Sequence, residues 1–273
     1  MLLFRDVPRH IVIDDTLFRG EIQEMNTPNP IAFTLFGFDV RWYGVLIASA
    51  MCLAVLISSR RSARVGIEPD SILDLAIWML PIGVIGARAY YVIFNSSIYH
   101  SFYDVINIRN GGLAIHGGLI AGLVVLLVFC RAKGINPLNM SDPIIPSVAL
   151  AQSIGRWGNY FNSEAHGGPT DLPWGIMVDG VKVHPTFLYE SIWCFILFFV
   201  LSYVFSHRRF EGQVVCLYGV LYSVERFLVE ALRTDSLMIG PFKQAQVISI
   251  LCIIVSASLY VYLRRASQLK DKR

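Results

Sequence analysis

Ionisable and carboxamide side chains interrupt runs that are otherwise apolar, and the chemistry of this chain is concentrated at those interruptions. The densest is Gly155-Arg156-Trp157-Gly158-Asn159-Tyr160-Phe161-Asn162-Ser163-Glu164-Ala165-His166-Gly167-Gly168, which follows directly on the apolar run 144–154. A guanidinium at the centre of a bilayer helix costs roughly 2.5–3.5 kcal/mol on insertion scales, so it usually faces a protein interior or a wet cavity. Gly155, Gly158 and Gly167 let the backbone approach a partner or a ligand closely. Taken alone, the stretch reads equally well as a site or as an interfacial Arg that snorkels, with Gly serving helix packing.

Tyr222, Arg226 and Glu230 are spaced i, i+4, i+8 and project from one helix face. An Arg–Glu pair one turn apart is commonly structural, but Glu225 lies beside it and the charges need counterparts on neighbouring helices. Arg156 is a candidate to share their cavity. Two Arg in a water-poor cavity make an anion site, and phosphate is the anion that a membrane supplies. His116-Gly117-Gly118 puts an imidazole at the start of an apolar run, with two Gly that leave room beside it. An imidazole can exchange a proton near neutral pH, as a general base must. Arg88, within Gly83-x-x-Gly86-Ala87-Arg88, reads as structurally paired on a face of small residues. Tyr43 follows Arg41-Trp42, where an aromatic membrane-interface residue is the simplest reading. In His184-Pro185-Thr186-Phe187-Leu188-Tyr189-Glu190, the Pro marks a helix start, whereas Glu190 is open between a structural and a functional role.

These residues must be positioned by membrane helices. The chain has 273 residues, 55% of them hydrophobic and only 16% charged, with a mean hydropathy of +0.54. A net charge of +3 is too small to argue for nucleic acid. The five Cys all fall inside apolar runs and read as small packing residues. Residues 1–40 are mixed in character and read as an arm on the membrane surface, partly helical and amphipathic, with no cleavable signal peptide. Apolar runs near 40–59, 72–94, 113–130, 142–161, 187–205, 214–232 and 245–263 approach the ~20 residues a bilayer crossing needs. The fourth is expected to be broken by Pro143 and Pro146. The fold class predicted is therefore an all-α polytopic membrane protein of about seven helices. It comprises an arm (1–40), a transmembrane domain (41–263) with an outer polar loop at about 164–186, and a basic tail (264–273).

Lys and Arg set the orientation. Arg60, Arg61 and Arg64, then Arg131 and Lys133, then Arg208 and Arg209, then the tail with Arg264, Arg265, Lys270, Lys272 and Arg273 alternate with loops that hold Arg109, Lys182, Arg233 and Lys243. The positive-inside rule puts the C-terminus in the cytoplasm and the N-terminus outside.

Together, Arg-Trp-Tyr-Gly, Gly-Ala-Arg-x-Tyr-Tyr-Val, His116-Gly-Gly-Leu, Gly155-Arg-x-Gly-Asn159-x-x-Asn-x-Glu164-x-x-Gly167, His184-Pro-Thr-x-Leu-Tyr-Glu190 and Arg226-Phe-x-Val-Glu230 resemble bacterial phosphatidylglycerol–prolipoprotein diacylglyceryl transferases. The match runs from about Trp42 to Arg233, and the Gly-Arg-x-Gly-Asn string is its most specific part. The resemblance implies a multi-pass inner-membrane enzyme with its site towards the outer side, without cofactor or metal. Such an enzyme moves the diacylglyceryl group of phosphatidylglycerol to the lipobox Cys of prolipoprotein signal peptides. It implies essential roles for Tyr43, His116, Arg156, Asn159, Glu164, Gly167, Tyr222, Arg226 and Glu230. Arg156 and Arg226 suit a phosphate clamp, and His116 or Tyr222 suits a thiol base. Glu164 and Glu230 would orient these groups, and Tyr43 and Asn159 would bond the headgroup. A membrane transporter and a non-catalytic binder of anionic lipid are the alternatives. A transporter would more often show internal repeats, and a lipid binder would need the Arg pair but not His116 or Glu164.

Overall fold

The computed structural model describes residues 28–99, 101–108, 111–234 and 236–270. Most of the arm, together with Arg109, Lys272 and Arg273, lies outside them. Its long elements are α1 (Trp42–Ser62), α2 (Pro69–Phe94), α4 (Ile115–Lys133), α5 (Pro137–Phe161), α6 (Thr186–Ser206), α7 (Gln213–Leu232) and α8 (Gln244–Lys270), with a one-turn α3 (Phe102–Ile106). Five of them (α1, α2, α4, α6 and α8) are long and apolar enough to cross a membrane. Large apolar side chains such as Ile85, Leu119, Phe199 and Val255 point outward along these helices. A water-facing surface rarely carries apolar area on that scale, whereas a lipid-facing one must. The chain is a mainly helical, multi-pass membrane protein.

The two more polar helices, α5 and α7, are the ones that neighbours enclose. Packing proceeds in a row, α4 on α2, α2 on α1, α1 on α5, α5 on α6, α6 on α7 and α7 on α8, with α5 also touching α7. One apolar cluster joins Ile72 and Leu75 of α2 to Val125 and Cys130 of α4 and Met140 of α5. A second joins Ala149 of α5 to Leu197, Leu201 and Phe205 of α6 and Val214 of α7. Polar groups thus sit where they meet protein, and apolar faces where they meet lipid.

Three details differ from the sequence expectations. First, α5 is continuous through Pro143 and Pro146 and begins at Pro137, where a missing N–H is harmless. The interior prolines cost helix stability, roughly 3 kcal/mol each in an isolated helix, which packing on α1, α6 and α7 offsets. Second, the connections form antiparallel hairpins that the all-α expectation did not include: β1 (Ile31–Leu35) with β2 (Phe38–Arg41), β3 (Ile176–Val178) with β4 (Val181–Val183), and β5 (Met238–Ile239) with β6 (Phe242–Lys243). Asp179-Gly180 turns the second, with φ of 49° and 76°, the two-residue geometry that suits right-twisted strands. Third, the described end of the arm is β1–β2 rather than helix, and Trp42 N–H donates to Pro30 O across its base (2.9 Å).

Two buried polar residues fix the connections. Arg88 spends its whole guanidinium on backbone: Nε donates to Val105 O, Nη1 to Gly111 O and Gly112 O, and Nη2 to Asp104 O and Asn107 O, at 2.7–3.0 Å. Structural pairing was the expectation for it, and backbone carbonyls are the partners. Asp142 of α5 is fully buried; it accepts from Arg208 Nη1 and Gly212 N–H (both 2.9 Å), Val214 N–H (3.1 Å) and Val215 N–H (3.2 Å). Gly212 precedes α7 and offers no side chain, so Asp142 caps α7 from another helix.

Candidate active site

α7 carries Tyr222, Arg226 and Glu230 on one face, and its two ends are held. Asp142 caps the start, and at the other end Lys243 Nζ donates to Glu230 O and Arg233 O (both 2.7 Å). Arg226 Nη2 meets Glu230 Oε2 at 2.7 Å, the one-turn pair that the spacing predicts. Arg226 Nη1 lies 3.6 Å from Glu190 Oε1, and Arg156 Nη2 contacts Glu190 Oε2 directly. Glu190 is therefore the carboxylate that joins the two guanidiniums, and it is only 1% exposed. Arg226 Nη1 has no hydrogen-bond acceptor among the described residues, and neither carboxyl oxygen of buried Glu225 has a donor.

α5 and α6 are locked at this level. Ser153 Oγ donates to Ser191 O (2.8 Å), Ser191 Oγ to Ser153 O (2.9 Å) and Trp157 Nε1 to Ser191 Oγ (3.1 Å). That reciprocal bond holds Glu190, one residue before Ser191, against Arg156, one residue before Trp157. Near the end of α5, Asn159 Nδ2 donates to Glu164 Oε1 (3.0 Å), as does Asn162 Nδ2 (3.3 Å). Gly158 lets Tyr43 lie flat on α5: a Cβ there would fall 2.2 Å from Tyr43 Cδ2. Gly167 serves packing too, since a Cβ would meet His184 Cβ at 2.7 Å and Leu232 O at 3.0 Å.

A cavity of about 430 Å³ opens between α1, α2 and α5. Its long walls are apolar, with Ile47, Met51, Ala54, Ile72, Met79 and Val148 among them, and one end gathers Tyr43, Gln152, Arg156, Asn159 and Tyr222. A second, more polar space of about 230 Å³ is lined by Asn159, Glu164, His166 and β3, so Asn159 faces both. The structure thus brings Tyr43, Arg156, Asn159 and Tyr222 to one wall and links Arg226, Glu230 and Glu164 to it through ion pairs and hydrogen bonds. His116 stands apart from that linkage. It is exposed near the start of α4, beside the cavity-lining Ile115, and its ring tilts against Tyr90 of α2 at 6.0 Å. Gly117 also serves packing: a Cβ there would fall 2.3 Å from Gly86 O and 2.4 Å from Tyr90 Cβ, so it lets α4 press against α2. Among the described residues, no three His, Cys, Asp or Glu group as metal ligands would.

The family model for prolipoprotein diacylglyceryl transferase matches residues 30–262, most of the chain and all of this site. The chain belongs to that family. It is a transferase of lipoprotein maturation. Curated relatives named phosphatidylglycerol–prolipoprotein diacylglyceryl transferase are similar to this family member along nearly their whole length. One from Clostridioides difficile (strain 630) is 53% identical, covering 87% of this chain and 96% of its own. One from Finegoldia magna is 45% identical over 89% and 99%, and one from Staphylococcus aureus (strain JH9) is 42% identical over 88% and 90%.

In this transferase, sequence reasoning left Glu190 undecided and did not single out Asp142 or Lys243. A signal for Glu190 was present, since it is the one acidic residue within α6. Asp142 caps a helix 70 residues on and Lys243 folds back over the hairpin that follows α7, and only the packed fold shows either.

Proposed function

We propose that this chain carries the diacylglyceryl group of phosphatidylglycerol to the thiol of a prolipoprotein's lipobox Cys, with the lipid seated in the cavity between α1, α2 and α5. The observation that carries this reading is the shape of that cavity: a long apolar trough that ends on Arg156, Asn159, Tyr222 and Tyr43. Acyl chains fit the trough and an anionic phosphate fits its end. Arg226 Nη1 is ion-paired with Glu190 at 3.6 Å but makes no hydrogen bond among the described residues, so it can still donate to an arriving phosphate oxygen.

The step balances simply. The thiol proton passes to a base as the sulfur forms a bond to the glyceryl carbon, and the carbon–oxygen bond to phosphate breaks. The electron pair leaves on the phosphate oxygen of glycerol phosphate. Arg156 and Arg226 stand where that charge develops, and their carboxylate partners hold them in place. Asn159 and Tyr43 bond the headgroup. Glu164 orients Asn159, and Glu230 with Glu190 orients Arg226. Gly167 shapes the wall behind. His116 or Tyr222 accepts the thiol proton, Tyr222 only after losing its own as the phenolate, and Tyr222 is the one that lines the cavity wall.

All seven long helices cross the membrane on this reading, α5 and α7 included. The N-terminus and the site lie towards the outer side of the inner membrane, with the basic tail in the cytoplasm. The division into arm, transmembrane domain with outer loop, and tail follows. Incubation of the purified chain with phosphatidylglycerol and a lipobox peptide tests the activity. A gain of one diacylglyceryl unit on the peptide Cys is expected. Unmodified peptide, with lipid still bound, would leave a lipid-binding protein instead.

A further inference from the structure

Among the described residues, the outer edge of β3 is unpaired, and β3 lines the polar space beside the site. Asp179-Gly180 closes the β3–β4 hairpin as a two-residue turn, so Val178 and Val181 form the pair that exchanges hydrogen bonds. Pairs alternate along an antiparallel ladder, so Ile176 and Val183 exchange bonds too, whereas Met177 and Lys182 turn their backbone groups away from each other. The outward carbonyl of Lys182 is taken, because Thr170 N–H donates to it at 2.9 Å. The outward N–H and C=O of Met177 have no partner among the described residues, although the residue is half-buried. They border the 230 Å³ space whose facing wall is Asn159 and Glu164. Asn159 also closes the polar end of the apolar cavity.

We propose that the segment around the acceptor Cys of the prolipoprotein binds in extended form as a third strand on β3, exchanging backbone hydrogen bonds with Met177. This rests on the transferase reading above and names how that site takes its second substrate. An N–H and a C=O side by side on a strand edge match peptide backbone and offer nothing specific to an acyl chain or to a phosphate. Strand addition reads backbone more than side chain, as an enzyme that must accept many different peptides around one Cys requires. An added strand would run along the space that Met177 and Asn159 both line.

A set of lipobox peptides, each N-methylated at one backbone position, tests this with the purified full chain and phosphatidylglycerol in detergent. Methylation at the position that bonds Met177 should raise the peptide KM roughly 3- to 10-fold per lost bond, with little effect at the neighbouring positions. Met177→Pro removes the outward N–H without touching a β3–β4 bond. It should raise the peptide KM by a similar factor and leave the KM for phosphatidylglycerol unchanged, while the sensitivity to that methyl group stays, because the peptide N–H donates to the Met177 carbonyl that Pro keeps. Should Met177→Pro not fold, the peptide series with the unaltered protein decides alone. Equal sensitivity at every position, or none at any, overturns strand addition while leaving the transferase reading in place. An unmethylated peptide that gains no lipid overturns the transferase reading and the strand with it.

Discussion

Arg226 lies between two carboxylates, and whether it binds phosphate or merely completes a buried pair is a question one double substitution answers. Glu230 is 2.7 Å away and Glu190 is 3.6 Å away. Replacing a buried ion pair with apolar residues of similar volume is often neutral or stabilising. Arg226→Leu with Glu230→Met should therefore leave a folded protein, with Arg156 still on Glu190, but transfer should fall below detection. Folding followed by detergent gel filtration and transfer followed by peptide mass check both halves. Retained transfer would remove Arg226 from the clamp. His116 is the residue whose assigned role and observed place are furthest apart. If it takes the thiol proton, His116→Gln should lose about 10²–10⁴-fold in rate. Part of that loss should return as pH rises towards the thiol's own value near 8.5, because thiolate then forms without help. A rate profile between about pH 6 and 9 distinguishes this from a structural role, which gives a loss independent of pH. The packing of His116 on Tyr90, away from the Arg226–Glu190–Arg156 linkage, favours the second outcome, with the Tyr222 phenolate as base.

At the scale of elements, α7 is the part on which the site depends most. It is capped from α5 by Asp142, 70 residues away, and at its other end by Lys243 of the hairpin that follows it. Asp142→Asn keeps the shape but loses the charge that Arg208 pairs with and one or more of the acceptor positions filled by Gly212, Val214 and Val215. The expected cost is about 1–3 kcal/mol of stability, read as a lower unfolding midpoint in detergent. The five helices long and apolar enough to cross a membrane were legible from hydropathy because lipid imposes a simple rule on their outer faces. Tyr222, Arg226 and Glu230 were legible as one face because helical spacing is fixed. The continuity of α5 through Pro143 and Pro146 was not, since packing outweighs a local preference there. The β3–β4 turn carried the Asp179-Gly180 signal but was read only as part of a polar loop. The close approach of α2 to Gly117 was not legible, because a glycine shows that something approaches and not what.

For the whole molecule, the arrangement makes a claim about sides. The hairpins β1–β2, β3–β4 and β5–β6 and the loop that Arg88 organises all fall on the side where α1 begins and α2 ends, if every long helix crosses. Single Cys residues introduced in a Cys-free background should react with an impermeant reagent in intact cells at positions 20, 105 and 175. Those at 62, 134, 209 and 270 should react only after permeabilisation. The reverse at 175 would put the site on the cytoplasmic side, where exported prolipoproteins do not present their Cys. The basic clusters at the ends of α1, α4, α6 and α8 supply the expected direction.

The measurement that bears most directly on the whole account uses phosphatidylglycerol labelled with deuterium only in the glycerol that carries the acyl chains. The purified chain is incubated with this lipid and a lipobox peptide, and the peptide is weighed. The account predicts that the peptide gains both acyl chains and the labelled glyceryl unit on its Cys, while the released glycerol phosphate is unlabelled. A peptide carrying a single acyl chain without the label would mean that an ester carbonyl was attacked rather than the glyceryl carbon. That result would contradict the phosphate clamp of Arg156 and Arg226, as would a peptide that gains no mass.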